Sequence, residues 1–176
     1  MYLFMYEFPF YKGSTKTLHI SNEEEKKVGS LKRYYKHKFQ KVIDRIISSD
    51  LILNVQTYDE NQEMFCNIKE DMHFKSWLRS SWQGQSRNLG NFQLFDRTKI
   101  KTHPRMELVT EAGDTYFMTK NFGNRKISIT NEQKELFVEM TYEKVLPPYN
   151  IRITLLNEKL HILEVAAIHF IFNMRY

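Results

Sequence analysis

Residues 157–173 read NEKLHILEVAAIHFIFN, and this stretch decides the fold. Within residues 160–172 the only polar side chains are His161, Glu164 and His169. At 100° per residue the apolar remainder surrounds the whole helix axis, which is the pattern of a helix buried on every side. Thirteen residues span about 20 Å, too short to cross a bilayer. Asn157 is the candidate N-cap. A single open sheet covers one side of such a helix, whereas antiparallel strands curled around it cover every side and leave no bare edges. Each Leu, Ile or Phe buried there contributes roughly 1.5–3 kcal/mol of transfer free energy.

The chain upstream supplies strands for that wall. Residues 2–11 and 15–20 flank a turn at Lys12, Gly13 and Ser14, and residues 27–38 follow an acidic stretch. Residues 40–47 fit a strand or a short helix equally, because Val42, Ile43, Ile46 and Ile47 satisfy both spacings. Leu51, Leu53 and Val55 alternate with Ile52, Asn54 and Gln56, and residues 64–68 form the next strand after a turn. Residues 106–109 and 115–119 flank Glu111, Ala112, Gly113 and Asp114, the clearest hairpin. Residues 125–130, 136–142 and 150–154 complete the set, with Pro147 and Pro148 interrupting the last pairing. Gly29 and Gly90 occupy similar settings, KVGSLKRYYK and NLGNFQLFDR, and mark bulges or tight strand starts.

Formal net charge is +5, distributed by segment. Residues 26–45 carry eight basic side chains against one acidic, and residues 75–105 seven against one. Lys32, Arg33, Lys36, Lys38 and Lys41 interleave with Tyr34, Tyr35 and Phe39, a composition that grips phosphates while rings stack on bases or enter a lipid interface. Arg79, Arg87, Arg97 and Lys99, near Trp77 and Trp82, extend that surface if the fold brings the segments together. Cys66 is the only cysteine, so an intrachain disulfide and an all-cysteine metal cage are both excluded. The N-terminal MYLFMYEFPFYKGS has no basic region ahead of its apolar residues and reads as a strand rather than a leader.

The β-rich order and the ending TLLNEKLHILEVAAIHFIFNMRY resemble the tubby C-terminal-like superfamily, which includes LURP-one-related proteins and phospholipid scramblases. KVGSLKRYY, NLGNFQLF and MELVTEAGDTYFMTK look like its repeated strand-and-turn segments. The resemblance covers nearly the whole chain and implies one domain over residues 1–176, a closed antiparallel β-barrel around a hydrophobic C-terminal helix. It implies that basic side chains outside the barrel, here Lys32, Arg33, Lys36 and Lys38, meet an anionic headgroup. The cysteine-rich features of scramblases are missing.

Motifs for chemistry are sparse. His161, Glu164 and His169 do not follow HExxH or HxxEH spacing, since His169 lies 80° around and more than two turns from His161. A core or rim role is expected for them, with Glu164 finding donors if the helix is central. DENQEMFCNIKE, residues 59–70, places oxygens like a calcium loop but has Met64 where glycine is required, so a turn into a strand is expected. No nucleophile elbow, phosphate-binding loop or dinucleotide fingerprint occurs. The expected function is therefore a noncatalytic, cytoplasmic binding module without cofactor or metal, for a partner protein or an anionic ligand such as a phosphoinositide-like headgroup. Peripheral contact with the inner membrane surface is part of that expectation. Lys32, Arg33, Lys36, Lys38 and Arg87 are the expected anion-binding residues. Nonspecific single-stranded nucleic-acid binding and metal-dependent hydrolysis are the alternatives.

Overall fold

The computed structural model describes residues 1–9, 11, 13–37, 40–42, 52–71, 80–100, 102–120, 123, 125–143 and 149–176. Among these, twelve strands form a closed antiparallel barrel: β1 Tyr2–Phe8, β2 Leu18–Asn22, β3 Lys27–Tyr34, β4 Asn54–Asp59, β5 Met64–Glu70, β6 Ser81–Ser86, β7 Gly90–Asp96, β8 Arg105–Thr110, β9 Thr115–Lys120, β10 Lys126–Asn131, β11 Leu136–Tyr142 and β12 Tyr149–Leu155. Each strand pairs with its sequence neighbours, and β1 closes the ring on β12 through Tyr2–Leu155 to Phe8–Tyr149. About eight strands already enclose an interior wide enough for side chains to fill, so twelve leave a hollow that side chains alone cannot occupy. Helix α1, Ile162–Arg175, fills it.

Every residue of α1 from Ile162 to Phe172 is buried, as is Met174. The strands face it with alternate residues, such as Ile151 and Ile153 on β12 or Leu94 on β7, while Arg152 and Gln93 point to solvent. Between α1 and the wall at β7 to β10 the remaining cavity is about 10 Å³, lined by apolar residues including Leu94, Met106, Tyr116 and Ile168. That is at the lower limit for one water. At the level of these residues the interior is packed core, with no room for a ligand.

The helix starts later and ends later than its apolar run predicts. Asn157 does not cap it; its Oδ1 accepts from the Lys159 N–H in the preceding turn. His161 is the N-cap: its Nδ1 accepts from the Leu163 N–H, and Glu164 accepts from the His161 N–H. This reciprocal box needs a carboxylate three residues after the cap, which only the later start supplies. Strand β4 likewise begins at Asn54, not Leu51. The Leu53 N–H donates to the Glu70 carboxylate and the Ile52 carbonyl accepts from Arg33, so neither continues the ladder. Residues 40–42 are helical, and the rest of the ambiguous 40–47 stretch lies outside the described residues.

The two glycines with similar surroundings do different work. At Gly29 the register with β2 skips Val28, and a Cβ would meet Leu163 Cδ2 at 2.5 Å. Gly90 closes the β6–β7 turn with φ of +66°, which a β-carbon disfavours.

Candidate functional site

Up-and-down topology sorts every connection to one of two barrel ends. The β2–β3, β4–β5, β6–β7, β8–β9 and β10–β11 connections are three or four residues long and lie at the end where α1 begins. The other six, joining β1–β2, β3–β4, β5–β6, β7–β8, β9–β10 and β11–β12, run from five to nineteen residues and link strand ends on the side where α1 stops. Tyr176 marks that second end, its hydroxyl bonded to Thr98 and Asp96, and Arg175 donates to the Ser80 hydroxyl. Long connections on a rigid wall are where binding groups concentrate.

Charge divides the same way. By sequence, the six long connections carry thirteen lysines and arginines against four acids. The short ones, with the link from β12 to α1, carry four against ten. The two basic segments, 26–45 and 75–105, thus send their long connections, after β3, β5 and β7, to one end of the barrel. Lys16, Lys36, Lys41, Lys99 and Arg125 are exposed there, and none forms an ion pair with a described residue. The helix macrodipole, negative at this end, favours cations within its last turn. It accounts for Arg175 on α1 and reaches no farther.

The expected anion-binding residues separate on this geometry. Lys36 is exposed just beyond β3 at the basic end, and Lys32 is exposed on the outer face of β3, opposite Gln56. Lys38 lies outside the described residues. Arg33 is not on the outer surface: strand alternation sends it inward with Leu31, and it is 0% exposed. Its guanidinium donates to the Ile52 carbonyl at 2.6 Å and lies over the Tyr35 ring. Arg87 sits at the opposite end, in the β6–β7 turn, held by Asp59 at 2.7 Å and Glu63 at 2.9 Å. Two carboxylates from β4 and the β4–β5 turn around one guanidinium leave this cluster net negative. A period-two reading of β3 separates Lys32 from Arg33, and pairing β6 with β5 sets Arg87 beside the β4–β5 turn; the second needed the register.

Residues weighed for chemistry are engaged structurally. Glu164 is buried and accepts from the Ser86 hydroxyl, the Leu89 N–H at 3.1 Å, Asn88 at 3.1 Å and the His161 N–H at 3.0 Å. It ties the β6–β7 turn to the start of α1. His161 stacks on Phe65 with ring centroids 4.1 Å apart, and burial, opposed by Glu164, lowers its pKa. His169 lies at the other end of the helix, where its Nδ1 is 2.6 Å from the Tyr6 hydroxyl. Among the described residues no three His, Cys, Asp or Glu side chains are grouped to hold a metal. In the 59–70 stretch Asp59 Oδ1 accepts the Asn61 and Glu63 N–H groups, making a turn that leads into β5. Cys66 is buried in β5, and burial, then the Glu164 charge, pushes its thiol up out of the reactive range.

Among the described residues no helix is long and apolar enough to cross a membrane. A family model described as Tubby C-terminal like domain matches residues 4–176. Neither a curated protein nor a solved structure matches the chain.

Proposed function

Because this chain belongs to the Tubby C-terminal like domain family, we propose that it is a noncatalytic binding module whose long-connection end docks on an anionic surface, a phosphoinositide-like headgroup at a membrane face. One observation carries this reading: the charge division between the two sets of connections, by sequence thirteen basic against four acidic in the long ones and four against ten in the short ones. A molecule of net charge +5 with this division presents a far stronger positive potential at one end than its total implies. The packed interior at β7 to β10 supports an exterior site over an enclosed one.

The side chains fit the chemistry. Lysines are strongly hydrated point charges on flexible stems, suited to a fluid anionic surface and not to one rigid ligand. Each basic residue near such a surface contributes about 1 kcal/mol, and the attraction fades within a Debye length of ~8–10 Å at physiological salt. Flotation with neutral and anionic vesicles at two salt concentrations tests this. Binding to anionic vesicles that weakens with salt is expected. Equal association with both compositions at low salt, or none, contradicts it, and retention of a single-stranded oligonucleotide in place of vesicles would redirect the same basic end to nucleic acid.

A further inference from the structure

α1 carries His169 to the basic end of the interior, where it is fully buried. Tyr6 O faces its Nδ1 at 2.6 Å. Burial raises the Tyr6 pKa well above that of a free phenol, with Tyr142 adding to the effect. Burial, reinforced by the nearby Lys120 ammonium, pulls His169 down to about 3. A phenol facing a neutral imidazole donates to it, so Nδ1 accepts and the ring proton resides on Nε2. Among the described residues that Nε2–H has no acceptor.

Lys120 stands beside it at the end of β9. Strand alternation turns it inward, its ammonium lies over the Tyr142 ring 5.0 Å from the centroid, and no described carboxylate pairs with it. The same Tyr142 ring packs on His169 with centroids 6.1 Å apart. The Tyr142 hydroxyl donates to Asn173 at 2.8 Å, and its oxygen does not accept from the His169 Nε2–H. Two N–H donors, one of them charged, therefore flank a single ring, and no described group accepts from either. A fully buried donor such as the His169 Nε2–H is paired in nearly all native structures, and an exception points to a bound acceptor, here beside the half-buried Lys120 ammonium.

We propose that the corner formed by Lys120, Tyr142 and His169 binds an anionic oxygen, of a phosphate or a carboxylate, between the His169 Nε2–H and the Lys120 ammonium. A cation is excluded by the same chemistry, since both groups present hydrogen and one carries positive charge. The Tyr6 ring against His169, with centroids 5.9 Å apart, and Tyr149 against Tyr142 supply apolar surroundings in which such a charge-assisted bond is strengthened. These are different side chains from the exposed lysines of the proposed function, so the two readings fail separately.

The test is a long-range ¹H–¹⁵N correlation on the full chain labelled at histidine, at neutral pH and constant ionic strength. The probes are inorganic phosphate, acetate and a soluble short-chain phosphatidic acid. The expected result is a proton on His169 Nε2, a saturable shift of that nitrogen with at least one probe, and binding about tenfold weaker in Lys120→Gln. The Lys36→Glu and Lys99→Glu changes leave the shift intact while weakening vesicle binding. A response to phosphate alone identifies a free anion, and a response to the phosphatidic acid alone identifies a lipid headgroup. A proton on Nδ1, a shift unchanged by Lys120→Gln, or contact with water and no response to any probe each overturns the proposal.

Discussion

Gly29 on β3 and Leu163 on α1 touch so closely that no side chain fits between them: a Cβ at Gly29 would stand 2.5 Å from Leu163 Cδ2 and 2.6 Å from the Tyr58 carbonyl oxygen. The leucine can rotate away, but the carbonyl belongs to the neighbouring strand and cannot. Gly29→Ala is therefore expected to destabilise the fold by about 1–3 kcal/mol, read as a lower urea midpoint at unchanged slope. Adding Leu163→Ala should recover none of the carbonyl clash. A Gly29→Ala protein as stable as the parent would mean that β4 does not approach β3 at Tyr58 as described.

Glu164 gathers four donors from the β6–β7 turn and the helix start. Its removal leaves several of them buried and unpaired, each at about 1–3 kcal/mol. Glu164→Ala is expected to lose about 3 kcal/mol or more in chemical denaturation, with Glu164→Gln intermediate. Glu132→Ala, at an exposed position in the β10–β11 turn, should stay within about 0.5 kcal/mol of the parent.

The central helix and most strands were legible because their signals are local. Circumferential hydrophobicity announced α1, and turn residues such as Glu111 to Asp114 announced the β8–β9 hairpin. The helix start was misplaced because Asn157 is the commoner kind of cap, whereas the glutamate three positions on, which completes the box, belongs to His161. The basic surface was half legible. Composition revealed two cationic segments, but their meeting at one barrel end depends on the parity of strands between them. The placement of Arg33 inside the wall and of Arg87 at the opposite end has the same origin: inward alternation and a cross-turn partnership with Asp59 are properties of register, invisible to a count of charges.

Burial, then the Lys120 charge, holds His169 down to about 3 in the fold, against 6.5 for a free imidazole. Between those values the unfolded chain binds a proton that the native ring refuses. The stability owed to the neutral ring is thus complete above pH 6.5 and is lost as pH falls through the window toward 3, at up to about 1.4 kcal/mol per pH unit. Comparing the parent with His169→Leu paired with Tyr6→Phe, which leaves no lone phenol, isolates this dependence in urea midpoints measured at several pH values. The double variant should lack this component of the slope.

Cys66 should be inert toward a thiol reagent in the native protein at neutral pH, because burial disfavours its thiolate. Unfolding in urea should release it for stoichiometric reaction. Rapid labelling of the folded chain would show that β5 opens far more readily than its position in a closed barrel allows.

The central claim is that binding belongs to one end of the barrel and not to net charge. Two paired reversals test it most directly, because each lowers the charge equally: Lys36→Glu with Lys99→Glu at the long-connection end, and Lys26→Glu with Lys134→Glu at the other. In cosedimentation with anionic vesicles at low salt, the first pair is predicted to weaken binding at least about tenfold, from ~1 kcal/mol per basic residue at the surface, while the second leaves it near the parent. Equal weakening by both pairs would contradict the account.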